Sequence, residues 1–219
     1  MAENVALIRA RMKTPKAAAT AGIVFSILMF AIIWLLRRSI PADPLEPGTW
    51  LAADTRKIEL ALNLIPIAGV AFLWFVAVLR DRLGDQEDRF FSTVFLGSSL
   101  LFLAMLFAAA AITGAVTLLA STTAEPGALI DSATFHFARA AAYIVANVYA
   151  IKMGAVFMFS TSTVVIQTGI APRWMAYLGF VLALAVLVGS YYVSWSLVVL
   201  PVWVLLISTF ILIDNLRRS

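Results

Sequence analysis

FSTVFLGSSLLFLAMLFAAAAITGAVTLLA, residues 91–120, runs for thirty positions without an Asp, Glu, Lys, Arg or His. As a helix it would reach about 45 Å, more than the roughly 30 Å hydrocarbon core of a bilayer. Comparable apolar runs lie at residues 17–37, 58–80, 135–167, 174–191 and 196–214. Lipid offers no water to backbone amides, so each run must satisfy its own hydrogen bonds, and helices do this. The expected fold is all-α: one integral membrane domain over residues 1–219, a polytopic bundle of six spanning helices.

Composition agrees with that reading. Hydrophobic residues make up 63% of the chain and charged residues 13%, against about 25% charged in a soluble domain. With no Cys, disulfides, iron–sulfur clusters, thiolate catalysis and thiolate-bound zinc are excluded. The single His excludes a haem held by two histidines of one chain. The net charge of +4 comes from basic residues gathered at run ends, where membrane lipids explain them better than nucleic acid does.

The connections carry ordinary chain breakers: Pro41, Pro44, Pro47 and Gly48, then Gly84, then Pro126 and Gly127, then Pro172. The fourth run, about 50 Å long as a helix, must tilt, kink or project beyond the bilayer. Asp131 or Ser132 is its expected N-cap. The first run is too long for a signal-peptide core and ends in Arg37-Arg38 rather than a small-residue cleavage site, so it reads as a retained helix. With the N-terminus cytoplasmic, ten Lys and Arg side chains fall on that side and five on the other, which favours both termini inside. Arg37 and Arg38 run against this rule. Trp50, Tyr191, Tyr192 and Trp195 would mark the outer interface.

Polar residues inside the runs are the functional candidates, because each costs free energy in lipid unless paired or wetted. At helical spacing His136, Arg139, Tyr143 and Asn147 share one stripe about 80° wide. That stripe either lines a path for a polar solute or ties helices together near the headgroups. Lys152, near the middle of the same run and almost opposite the stripe, needs an acceptor, water or a route to the interface. Glu59, Asn63 and Pro66 share a face of the second run. Asn63 there could satisfy the carbonyl that Pro66 frees, and Glu59 is the expected ion-pair partner of Arg139. Ala104/Ala108 and Ala110/Gly114 are small-residue pairs suited to close helix contact, within the chain or between copies.

Catalytic signatures are missing: no G-x-S-x-G, no H-E-x-x-H and no Gly-rich phosphate loop. Ser160 to Ser162 and Thr163 are expected to bond helix carbonyls. No metal or other cofactor is expected. Asp81, Asp85, Glu87 and Asp88 alternate with Arg80, Arg82 and Arg89 in a self-neutralising loop.

The segment Leu79-Arg80-Asp81-Arg82-Leu83-Gly84 resembles part of the cytoplasmic loop motif of major-facilitator transporters, matching it at Asp81, Arg82 and Gly84. Ala77 and Asp85-Gln86 depart from that motif, and two copies of the chain would be needed for a whole transporter. The blocks 79–84, 87–91 and 93–97 and the closing 201–206 resemble those of small bacterial six-helix inner-membrane proteins with no assigned activity. That resemblance implies a bacterial inner (cytoplasmic) membrane and no particular chemistry. The leading expectation is a small channel or transporter, anion-leaning or for small polar solutes, with Lys152, Asn147, Tyr143, Arg139, His136, Glu59 and Asn63 along its path. The alternative is a non-catalytic accessory, scaffold or lipid-binding subunit. Expected partners are membrane lipids and either further copies of the chain, as a homo-oligomer, or other membrane subunits.

Overall fold

The computed structural model describes residues 2–41, 43, 48, 50–83, 89–123, 126–190 and 196–217, and every element among them is helical. In chain order these are α1 (Ala2–Ser39), α2 (Trp50–Leu83), α3 (Arg89–Thr122), the short α4 (Pro126–Ile130) and α5 (Ala133–Ile144). A π-helical segment (Val145–Ala150) leads into α6 (Ile151–Thr168). Then come α7 (Arg173–Gly189), a 3-10 turn (Ser196–Val198) and α8 (Val199–Arg217).

Five stretches are long and apolar enough to cross a bilayer: Ala19–Ser39, Asp54–Arg80, Ser92–Thr122, Ala133–Thr168 and Ser196–Arg217. The run expected over 174–191 forms α7, 17 residues long, or about 25 Å, at the short limit for a crossing. The bundle's outer surface is apolar. Val188 exposes 75% of its surface and Trp74 67%, and such side chains are stable facing lipid but would mark an aggregation-prone patch in water. The chain is a multi-pass integral membrane protein.

Within the bundle α1 packs on α2 and α8, α2 on α3, α3 on α6, and α6 on α7, with a slighter α7–α8 contact. Lipid tails are as apolar as the interior, so shape fit holds such helices together rather than expulsion from water. At the centre Phe72 of α2 meets Phe25 of α1, Phe102 of α3 and Phe157 of α6 at centroid distances of 4.7, 5.3 and 5.0 Å. The angles between these rings run from 43° to 63°. Tilted and edge-on pairs of this kind contribute about 0.5–1.5 kcal/mol each beyond their contact area.

Between α6, α7 and α8 side chains crowd a glycine of α7. A Cβ added to Gly179 would stand 2.1 Å from Ser162 Oγ and 2.7 Å from Trp203 Nε1. A side chain at this site would have to displace Ser162 or Trp203. The small residues of α3 are placed differently, since Ala104 and Ala108 face outward. Ser160, Thr161, Ser162 and Thr163 each donate to the carbonyl four residues earlier, as expected for hydroxyls in a membrane helix.

The stretch 133–168 changes neighbours partway along. Ser132 caps it, its Oγ accepting from the Phe135 amide at 3.2 Å. Below the π segment α6 packs on α3 and α7 and also touches α2 and α8. Above it, α5 packs on α3 and the short α4 while its Phe135 is buried against Leu51 and Ile58 of α2, and the π segment packs on α3. A cleft lies between the C-terminal part of α1 and α5 with its π-helical continuation.

Candidate functional site

That cleft is a cavity of about 160 Å³. Its walls are the C-terminal part of α1 on one side (Ile33, Leu36, Arg37) and α5 with the π segment on the other (Ala138, Arg139, Tyr143, Asn147). Leu62 and Ile65 of α2 and Leu106, Ala109, Thr113 and Thr117 of α3 form its floor. At one end Phe135 of α5 belongs to a cluster against which Leu36 and Ile40 also pack.

The floor is mostly apolar. Thr113 Oγ1 donates to the Ala109 carbonyl and Thr117 Oγ1 to the Thr113 carbonyl, both at 2.9 Å. Asn147 Nδ2 donates to the Tyr143 carbonyl at 3.1 Å. These donors are engaged with their own helices, while the hydroxyl oxygens and the Asn147 amide oxygen keep acceptor capacity.

Polarity gathers at one end. Arg139, only 8% exposed, sends Nη2 to the Asp43 carbonyl at 2.6 Å, and its guanidinium lies 5.2 Å from the ring centre of Trp50. A buried cation needs such partners to persist. The Trp50 ring also faces Phe135 at 6.5 Å. Phe135 in turn is pressed against the turn at Gly48, where an added Cβ would come within 2.5 Å of its ring. The connection between α1 and α2 is thereby tied across the cleft to α5. The Trp50 indole N–H is buried and meets no acceptor among the described residues. A donor left in that state costs about 1–3 kcal/mol. Arg37 lines the same end, and the lining contains no acidic residue among those described; Asp43, beside the mouth, is exposed.

Of the residues singled out in the sequence, Arg139, Tyr143 and Asn147 come together in this cavity. His136, their neighbour on the predicted stripe, is exposed and lies edge-on to Phe135 at 5.6 Å. Lys152 is half-buried on the outward side of α6, between exposed Tyr149 and Phe159. It does not line the cavity, and no carboxylate pairs with it among the described residues. Glu59 and Asn63 are exposed because Ile58, Ala61 and Ile65 take the inward face of α2. The expected Glu59–Arg139 pair is therefore not formed, and Arg139 reaches the Asp43 carbonyl instead. Asn63 bonds the Glu59 carbonyl at 3.0 Å rather than the one that Pro66 frees.

Asp81 and Arg82 fall in the last turn of α2 with side chains outside the described set; Gly84, Tyr191, Tyr192 and Trp195 lie outside the described residues. Sequence reasoning missed Arg37 and Trp50 as parts of one site. The signal was there for Arg37, a cation on the side of the membrane where the charge rule disfavours it. No family model matches this chain, and neither the curated proteins nor the solved structures include a significant match.

Proposed function

We propose that this protein is a non-catalytic lipid-binding subunit of a bacterial inner membrane, holding one membrane-derived molecule in the cleft between α1 and α5. In this reading α7 crosses the bilayer, both termini are cytoplasmic, and the Arg37–Arg139 end faces outward. The length of α7 and the ten-to-five distribution of basic residues support that topology. The observation that carries the function is the cavity itself: mostly apolar in its lining, set between α1 and α5, with Arg37 and Arg139 among its lining residues. A conduit for ions would need polar groups along its length to replace hydration, and the floor formed by α2 and α3 is mostly apolar.

Extraction of purified protein with organic solvent, followed by mass spectrometry, tests the idea. Wild-type protein should retain close to one amphiphile per chain. Ala109→Phe, which places a ring in the cavity, should retain none above the background of loose lipid. Equal retention by the two would end the proposal.

Conduction keeps one observation in its favour. Lys152 stands deep in a spanning segment with no acceptor among the described residues, as it would if it faced a path between copies of the chain in a homo-oligomer. On that reading Lys152→Met alters anion flux in proteoliposomes. On the lipid-binding reading flux is negligible in both proteins and amphiphile retention is unchanged.

A further inference from the structure

Lipid satisfies the apolar surface of this bundle but not a cation, and Lys152 is a cation set into that surface. We infer that the outward face of α6 around Lys152 docks a spanning helix of another membrane protein, one carrying an Asp or Glu level with Lys152 to pair with its ammonium. Lys152 does not line the cleft, so the inference goes beyond the lipid-binding reading and does not depend on it.

Depth is the first observation. Trp50 meets Phe135 near the starts of α2 and α5, and Phe72 meets Phe157 further along. The partners in both pairs are 85 positions apart in sequence. α2 and the stretch 133–168 therefore run in one direction and keep one register. That register sets Lys152 level with Ile67, the middle of the Asp54–Arg80 span. Glu59, at the outer end of the apolar run of α2, is level with Ile144 and so about 12 Å further out by helical rise. A four-carbon stem does not cover that distance, and lysines escape to the headgroups from positions near helix ends.

Availability is the second. Lys152 makes no hydrogen bond or ion pair among the described residues, and its Nζ is not enclosed. Tyr149, exposed three residues earlier, has a phenol that likewise makes no hydrogen bond among them. Two donors thus stand on one lipid-facing surface without an acceptor, and a carboxylate can accept from both. The rest of the face is apolar. Exposed Phe159 lies edge-on to Phe180 of α7 at 4.6 Å, a surface against which another helix can lie.

The missing carboxylate does not come from a second copy of the chain. A two-fold contact through this face would set Lys152 against Lys152. Only Glu59 and Asp214 fall within the apolar runs, each within one residue of a run's end, and neither reaches the level of Lys152.

Two measurements test the proposal. In phosphatidylcholine vesicles, full-length protein is mixed with labelled Leu/Ala spanning peptides of about 20 residues that carry Glu or Gln at the centre, and association is read by energy transfer. The Glu peptide should bind at least about tenfold more tightly, the difference expected for a hydrogen-bonded charge pair. Lys152→Met should abolish the preference without changing Gln-peptide binding, and Lys152→Arg should keep it. Equal binding of the two peptides, or a preference that survives Lys152→Met, overturns the proposal.

In membranes of the source cells, a photoactivatable benzoylphenylalanine at position 159 of the full chain should give an adduct with one other membrane protein. The attached segment should be a spanning helix with an Asp or Glu near its middle. The adduct should be lost in Lys152→Met and in Lys152→Glu, and return when Lys152→Glu is combined with lysine at the partner's acidic position. An adduct with a second copy of the chain overturns the proposal in favour of a homo-oligomer. Adducts with lipid alone, or a protein adduct indifferent to Lys152→Met, overturn it as well.

Discussion

At Phe72, in the middle of α2, rings from α1, α3 and α6 close to within 4.7–5.3 Å and the side chain is wholly buried. At Trp50, the first residue of the same helix, one ring faces Phe135 at 6.5 Å, an arginine sits over it, and its N–H has no partner among the described residues. One helix thus joins a region packed for stability to one that is under-packed and unsatisfied. In a membrane, where association depends on close fit, a gap of this kind carries a real loss of contact energy. The two regions should therefore respond in opposite ways to a change in side-chain volume.

Phe72→Ala tests the packed side and should have the largest effect. Burying Phe against lost packing is worth about 3–5 kcal/mol in soluble cores, and the lower end applies here because moving a phenyl ring to lipid costs little. Denaturant or thermal unfolding of the detergent-purified protein measures it. A loss below about 1 kcal/mol would mean that the four-ring cluster does not organise the bundle.

Gly179→Ala should cost somewhat less, about 1–3 kcal/mol, the range for forcing extra carbon into a filled interior. The added methyl would meet Ser162 Oγ and Trp203 Nε1 at distances no ordinary contact allows. Gly114→Ala is its control, since there the new carbon would find only Leu62 Cδ1 at 3.5 Å. If the two substitutions are equally harmless under the same unfolding assay, the α6–α7–α8 contact is looser than described.

How much of this contrast could be read from the sequence depends on whether the signal is local. Thirty uncharged residues at 91–120 fix a membrane helix without reference to the rest of the chain. The 3.6-residue repeat likewise put Arg139, Tyr143 and Asn147 on one face, and they do share a cavity. The same repeat misassigned the setting of Glu59. Depth along α2 placed it level with Arg139, but rotation about the helix axis turns it outward, and rotation is decided by which residues find partners on the other helices. Trp50 and Arg37 were legible one at a time, as an interfacial aromatic and a misplaced cation. Their convergence was not, because it depends on how α1, α2 and α5 pack around one cavity, which no local pattern announces.

The smallest effect belongs to the under-packed side, and its sign matters more than its size. Ala109→Phe adds a ring to a helix face that is already buried, at 6% exposure, which in the packed region would be as damaging as any substitution there. Beside a cavity of about 160 Å³ the ring has a space to enter, since a cavity close to that volume holds benzene. Cavity filling typically raises stability by about 0.5–2 kcal/mol. Protein stripped of bound amphiphile should therefore unfold later when it carries Ala109→Phe. With the amphiphile that co-purifies restored to saturation, the proposed function expects the order to reverse, because wild type then gains binding free energy that the filled variant cannot. Unfolding midpoints of both proteins with and without that amphiphile measure the crossing. A uniformly destabilised variant would show that the floor of the cleft is as tightly packed as the aromatic centre, and the contrast between the two ends of α2 would vanish.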